Sequence, residues 1–359
     1  MIKKIGEINF REIKRISPSQ FYSMKNCAYK TLLTEAFDNK PLLPFSPDTY
    51  FGNVVHKMLE LIAKGVVRSE EDFNLQFDNQ VKILEDDLQQ RGLGCLVPFK
   101  ITLKNFGIKR IKLKKHLRNE PEQPKNITSI SNTKIHSEKW LESKDKLIGG
   151  IVDLIIENND SIEIIDFKSG AITKDCLDNE GEIYIEIKKE YKEQLKLYAY
   201  LYFENTNKFP TRLSLADLEK QKFSVEFSER ECKSVFDEAK NLLKSTNDCI
   251  NTKSFSATPK EENCKYCLYR PACSFFHKRL EKDFSFNDVR GEIKDVKKFL
   301  NGNVSIYLQN GERKLTVKNF SCEYFNTLND YKNKSISIYN LRKEAEFVYS
   351  VTDTTMIYE

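Results

Sequence analysis

The chain reads as an α/β protein: a helical first third, then a strand hairpin with flanking helices, then a small β-rich unit at the C-terminal end. Three patterns predict this. Val55, Met58, Leu59 and Ile62 recur at helical spacing in the N-terminal region. From Lys134 the texture changes to short apolar runs, with Ile151–Ile156 and Ile162–Ile165 separated by the turn Glu157-Asn158-Asn159-Asp160. Beyond residue 284, Asn301-Gly302 and Asn310-Gly311 stand between alternating runs, which is a strong local signal for hairpins.

The elements follow in order. Ser17-Pro18-Ser19-Gln20 starts a helix, with a hydroxyl N-cap and proline at the first helical position. That helix is expected to run through Phe21 to about Leu33 and to carry Cys27. A polar loop spans Asn39 to Pro47, and a second helix spans Gly52 to Lys64 with His56 beside its apolar stripe. Residues 70–91 read as an acidic helix. Residues 100–118 hold eight Lys/Arg and no acid. Such a stretch is either a stripe that attracts phosphate backbones or a solvated helix face. Asn119 to Thr133, interrupted by Pro121, Pro124 and Asn126, reads as a mobile loop.

Lys146–Ile156 and Ser161–Lys168 then pair as a hairpin. Asp166 and Lys168 stand two apart on a strand and share a face. Tyr191–Phe203 is a helix that stacks Gln194 and Tyr198 four apart. Phe223–Phe227 reads as a strand and Cys232–Cys249 as a helix. Near the C-terminus, strands are expected at 288–298, 303–309, 312–318, 334–341 and 346–357, with a short helix near 321–329. Five strands with a helix in that gap resemble an OB-fold barrel. The expected organisation is one domain over 1–283, with a helical and basic insert at about 65–134, and a barrel domain over 284–359.

Composition narrows the class. With 359 residues, 40% hydrophobic and 31% charged, the chain can bury an ample core. No apolar stretch approaches the roughly 20 residues that span a bilayer, and Met1–Gly6 lacks a signal-peptide core. Nine cysteines, clustered rather than spread, favour metal ligation in a reducing compartment over disulfides. A cytoplasmic protein with no membrane partner is expected. No Walker A pattern occurs, so no ATP motor is evident.

The hairpin carries the chemistry. Asp153 interrupts the apolar run Ile151–Ile156, and a carboxylate in a core strand is costly unless paired or bound to a metal. Asp153 and Asp166 would supply carboxylates to a hard divalent ion, Phe167 a backbone oxygen and His56 an imidazole. Lys168 would orient an attacking water or stabilise charge on a phosphoryl group. Mg2+ or Mn2+ in such a set suits phosphodiester hydrolysis. Taken singly, none of these residues is specific: an Asp-x-Lys strand end is common, and a lone histidine is more often structural.

In order along the chain, Gly52-Asn53-Val54-Val55-His56, Gly150-Ile151-Val152-Asp153-Leu154-Ile155, Ile164-Ile165-Asp166-Phe167-Lys168-Ser169-Gly170 and Gln194-Leu195-Lys196-Leu197-Tyr198-Ala199 resemble the PD-(D/E)xK, RecB-like nucleases. Ser17-Pro18-Ser19-Gln20-Phe21 with Cys27 resembles the opening of that family's iron–sulfur branch, which includes CRISPR-associated RecB-like exonucleases and AddB-type nuclease subunits. The resemblance spans roughly residues 15–280. It implies a restriction-endonuclease-like core that cleaves DNA, with His56, Asp153 and Asp166 on the metal and Lys168 as the catalytic lysine. It further implies that Gln194 and Tyr198 support the site or contact DNA, and that Glu138 is a strand acid before the hairpin. Single-stranded DNA or free ends are the implied substrate. A separate helicase or other protein is the implied partner, in DNA repair, CRISPR adaptation or phage defence.

Cys264-x2-Cys267-x5-Cys273 is a tight three-thiolate set. By family order Cys27 supplies a fourth, and the four would hold a 4Fe–4S cluster. Alternatively His277, four after Cys273, would complete a zinc site. Cys95, Cys176, Cys232, Cys249 and Cys322 read as buried small hydrophobes. Two functions from different classes therefore stand: a metal-dependent DNA nuclease, and a non-catalytic DNA-binding or scaffold subunit of a helicase–nuclease complex. The barrel would either grip single strands or dock a partner. Its eleven Lys/Arg against ten Asp/Glu favour the partner.

Overall fold

The computed structural model describes residues 2–117, 133–177, 182–257, 259–283 and 286–359. The stretch read from sequence as a mobile loop, Asn119 to Thr133, lies outside the described residues except for Thr133. In chain order the first helices are α1 (Pro18–Asn26), α2 (Ala28–Ala36), α3 (Pro47–Ala63), α4 (Glu70–Gln90), α5 (Phe99–Thr102) and α6 (Phe106–Lys114). Strands β1 (Lys134–Glu142), β2 (Gly149–Glu157), β3 (Ile162–Phe167), β4 (Thr173–Leu177) and β5 (Ile183–Ile187) follow. Helix α7 (Lys189–Thr206), β6 (Arg212–Ala216), β7 (Lys222–Ser224) and α8 (Glu229–Thr252) come next, then the short helices α9 (Glu261–Cys264) and α10 (Ser274–Leu280). The chain finishes with β8 (Val289–Lys298), β9 (Val304–Asn310), β10 (Arg313–Phe320), α11 (Tyr324–Asn329), β11 (Ser335–Tyr339), β12 (Arg342–Ala345), β13 (Val348–Ser350) and β14 (Met356–Tyr358).

Two compact units divide this chain. One joins Ile13–Lys25 to Ser46–Asp248; the other joins Met1–Glu12, Asn26–Phe45 and Cys249–Glu359.

In the first unit five strands form a sheet in the order β1-β2-β3-β6-β7. β1, β2 and β3 run antiparallel as a meander, as the polar turn at 157–160 requires. β3 also pairs in parallel with β6, and α7 makes the crossover between them. β3 is therefore central: Ile164 and Ile165 are buried, and so is Asp166. The N-cap chemistry at Ser17 is as expected. Gln20 N–H donates to Ser17 Oγ (3.3 Å), and Ser17 N–H donates to Gln20 Oε1 (3.0 Å). A separate aromatic core holds the helices before the sheet, with Phe51, Phe73, Phe77 and Phe99 fully buried. Burying each contributes about 1.5–3 kcal/mol, which anchors α3 and the histidine it carries.

Two helix expectations need correction. The helix at 18–33 is not continuous: it stops at Asn26 and restarts at Ala28, with Cys27 extended (φ −161°, ψ 94°). Helical pattern continues across this point, so periodicity could not reveal the break. Helix α3 begins five residues before Gly52, at Pro47. Ser46 caps it, accepting from Thr49 N–H (3.3 Å), the same Ser-Pro signal that opens α1. A hairpin β4–β5, unassigned from sequence, is also present.

In the second unit seven strands form one sheet, ordered β12-β13-β10-β9-β8-β11-β14. The single strand expected at 346–357 is two strands, β13 and β14, and β12 precedes them. Thr352–Thr355 divides them. There Thr352 N–H donates to Thr355 Oγ1 (2.7 Å), and the Thr352 hydroxyl donates to Asn340 O (2.7 Å), a local turn that competes with the ladder. Val304, Ile306, Leu315, Val317, Ile338 and Tyr349 fill its core. Among the described residues no helix is long and apolar enough to cross a membrane.

Candidate active site

The central strands bring the sequence motifs together. β1 and β2 pair through Ser137↔Leu154 and Lys139↔Val152, so Glu138 lies opposite Asp153. β2 and β3 pair through Leu154↔Ile165, and one further step sets Asp153 opposite Asp166. Three acids thus form a row across three strands. Glu138 has φ +52°, a left-handed backbone that a non-glycine residue seldom adopts within a strand. Asp153 Oδ2 accepts from Phe167 N–H at 2.7 Å, so the described contact of Phe167 is through its amide.

Asp166 is 4% exposed. Its Oδ1 accepts from Gln194 Nε2 at 2.9 Å, and Lys168 Nζ stands 2.6 Å from Oδ2. That second contact is an ion pair whose alignment falls outside that of a hydrogen bond. Lys168 Nζ donates to Gln194 Oε1 at 3.0 Å and lies 4.5 Å from the Tyr191 ring centroid. Gln194 therefore bridges the acid and the lysine. Lys168 N–H donates to Ala216 O (2.8 Å), so the parallel strand β6 holds the end of β3 in place.

His56 reaches the same point from α3, with Nδ1 3.8 Å from Asp153 Oδ2. Burial lowers its proton affinity, opposed by Asp166 and reinforced by Lys168. Burial pushes the Asp153 carboxyl up to about 7; the charge of Asp166 adds to this, the Phe167 N–H opposes it, and Glu138 contributes. Tyr198 donates to Ile151 O at 2.8 Å, and burial raises its proton affinity, so it stays a neutral donor. Gly150 is required where it stands: a Cβ there would meet Pro18 Cδ at 2.9 Å and Tyr198 Oη at 3.3 Å.

The seven residues His56, Asp153, Asp166, Phe167, Lys168, Gln194 and Tyr198 lie in this one unit; His56 and the Phe167 amide meet Asp153, while Asp166, Lys168 and Gln194 contact one another. Tyr198 sits two residues along β2, on Ile151. Sequence reasoning gave Tyr191 no role, although its spacing of three before Gln194 places both on one side of α7.

The match to known families falls on these elements. Residues 15–274 match the model of the PD-(D/E)XK nuclease superfamily. The chain belongs to that superfamily. By family it is a phosphodiester-hydrolysing nuclease, and divalent metals such as Mg2+ are the superfamily's usual cofactors. No curated protein matches the chain. Among solved structures, one described as "Crystal structure of SSO0001" is similar at 12% identity and TM-score 0.28, covering 74% of this chain and 89% of that one.

Among the described residues no group of three or more His, Cys, Asp or Glu side chains stands in ready metal-holding geometry. Asp153 and Asp166 instead engage protein partners: Asp153 the Phe167 amide, Asp166 the Gln194 amide and Lys168. The donor set still fits a hard cation. The charge of Asp166 opposes ionisation of the half-buried Asp153, and Asp166 Oδ2 has no aligned hydrogen-bond donor beside its ion pair with Lys168.

None of the nine cysteines forms a disulfide among the described residues. Cys27, Cys264, Cys267 and Cys273 share the second unit. Burial pushes the Cys273 thiol up to about 12, and the neighbouring Cys267, Cys27 and Cys264 add to the effect. Burial likewise raises Cys264 to about 11, with Cys267 and Cys27 contributing. His277 is held elsewhere. Its Nε2 stands 3.0 Å from the Tyr339 hydroxyl, and its ring also bonds the Pro271 backbone.

Among the described residues, four cations of the basic stretch pair with acids. Lys109 pairs with Asp48, Arg110 with Asp78, Lys112 with Glu219 and Lys114 with Glu70.

Proposed function

We propose that this chain is a Mg2+- or Mn2+-dependent deoxyribonuclease of the RecB-like type, acting on single strands or ends as an exonuclease. The convergence of His56, Asp153, Asp166, Lys168 and Gln194 carries the reading. His56, Asp153, Asp166 and the Phe167 carbonyl would hold the metal, and a bound ion would polarise a phosphoryl oxygen and acidify water. Asp166 fixes Lys168 in position. Gln194 shares its amide between the two, so the ammonium group is aimed before substrate arrives. Tyr198 holds the β2 backbone two residues from Asp153. Glu138, opposite Asp153, adds negative charge that a cation would neutralise. A non-catalytic scaffold role is the alternative, and the retention of every charged member of the site speaks against it.

We further assign Cys27, Cys264, Cys267 and Cys273 to a 4Fe–4S cluster. The nearness of Cys27, Cys264 and Cys267 to Cys273, each felt by its thiol, supports this over a zinc site using His277, whose ring is bonded to Pro271 and Tyr339. In this reading 1–283 is the nuclease domain, clasped by the cluster, and 284–359 an OB-like barrel. Parallel pairing of β10 with β13, antiparallel pairing of β8 with β11, and α11 between β10 and β11 support the barrel topology. Its balanced charge favours docking of a protein partner.

The test is direct. Wild-type protein should degrade labelled DNA with Mg2+ or Mn2+, and Lys168→Ala and Asp153→Ala should not. Equal activity in both variants would refute the catalytic assignment. Anaerobically purified protein should contain iron and sulfide and lose both on Cys27→Ser; colourless protein with one zinc would reject the cluster.

A further inference from the structure

Trp140 is the sole tryptophan of the chain, and it is 46% exposed on the edge strand β1. Exposed aromatics that adjoin other exposed apolar side chains mark contact surfaces. Trp140 lies opposite Ile151, itself 50% exposed, two residues before Asp153 on β2. Residues two apart on a strand share a face and stand about 7 Å apart. The indole therefore sits beside the catalytic acids, on the side toward the start of β2.

A cavity of about 410 Å³ opens there, within the range of roughly 300–1,000 Å³ typical of ligand sites. Its walls combine Trp140 and Tyr198 with short polar groups. Arg15 lies 4.7 Å from the Trp140 ring centroid and is paired with Glu142, so it braces one side of the indole without leaving a bare charge. Ser17 and Ser19 add hydroxyls 2.9 Å apart. Gly149 admits the close approach: a Cβ would meet Trp140 Cζ2 at 3.0 Å and Arg15 Cδ at 3.1 Å.

From this geometry we infer that the cavity receives one unpaired nucleobase of the substrate strand, adjoining the phosphate that is cut and stacked on Trp140. The chemistry selects a base over a phosphate, because nearly half of the indole residue stays exposed while the cation stacked on it is already paired with Glu142. A base stacks on an indole through its π-face, and the hydroxyls can meet its polar edge. A base held within a duplex cannot enter, so the cavity selects unpaired DNA. This inference rests on the nuclease reading above and names its substrate class.

The single tryptophan is its own reporter. Full-length protein without added divalent metal would be titrated with an end-labelled oligothymidylate, the same length of blunt duplex, and a strand of abasic sites. Label anisotropy reads binding, and Trp140 emission reads stacking. The single strand should quench Trp140; the duplex and the abasic strand should not. Trp140→Ala should weaken single-strand binding about tenfold, and Trp140→Phe should retain most of it. If the oligonucleotide binds with emission unchanged, or the abasic strand quenches equally, the inference fails and the nuclease reading stands. If no DNA binds and none is cut with Mn2+, the nuclease reading fails and takes the inference with it.

Discussion

Replacing Gln194 by Leu tests the site at the residue that joins its two charges. Leucine is close in volume, so the change removes hydrogen bonds rather than packing. Gln194 is 7% exposed, donates to Asp166 Oδ1 at 2.9 Å and accepts from Lys168 Nζ at 3.0 Å. A hydrogen bond to a charged group contributes about 1.5–3 kcal/mol. The two losses are unequal. Lys168 keeps its contact with Asp166 and the Tyr191 ring, and its side chain is 17% exposed, so water can replace the lost acceptor. The Asp166 side chain is 5% exposed, and water cannot easily replace the lost donor. The expected destabilisation is therefore about 2–3 kcal/mol, dominated by Asp166. Urea unfolding followed through Trp140, which lies in the same compact unit, measures it. Freed from its acceptor, the Lys168 head should wander, and a misplacement of about 1 Å can cost up to 100-fold in rate. A fall in kcat of about 10- to 100-fold with KM little changed is expected on a labelled single strand. A variant as stable and as fast as wild type would show that Gln194 does not hold the acid and lysine together.

Three further outcomes are expected. Burial holds the His277 ring at about 4, below its ordinary value of about 6.5. Its contribution is fully present above pH 6.5 and is lost as pH falls toward 4, because the unfolded chain takes a proton the native ring refuses; the loss is at most about 3 kcal/mol. Denaturation at several pH values should show this slope, and His277→Phe should flatten it; identical slopes would exclude the titration. Gly150→Ala forces a Cβ to 2.9 Å from Pro18 Cδ and should cost about 1–3 kcal/mol in thermal or urea melts, whereas unchanged melting would mean that α1 yields freely. Because Lys112 and Lys114 already pair with Glu219 and Glu70, replacing both by Ala should leave the salt dependence of DNA binding nearly unchanged. A slope flattened by about two would restore the basic stretch as a phosphate contact.

Local chemistry alone determined much of this molecule. The turn at 157–160 specified the β2–β3 hairpin, the alternation around it placed Asp153 and Asp166 on adjacent strands, and Ser17-Pro18 with Gln20 wrote a helix start. Periodicity and turn preference act over a few residues, so they are legible in a bare sequence. The order of the motifs likewise marked His56, Lys168, Gln194 and Tyr198 for one site. Tertiary structure alone decided the rest. The break at Cys27 lies within a continuous helical pattern. The cations at 109–114 are neutralised by Asp48, Glu70, Asp78 and Glu219, acids remote in sequence or on other helices. Glu138 joins the row of acids only through the β1–β2 register, and Trp140 borders a cavity only because Arg15 and Gly149 come to it. Charge pairing, register and cavities depend on which distant residues meet, and a sequence pattern carries no distances between them.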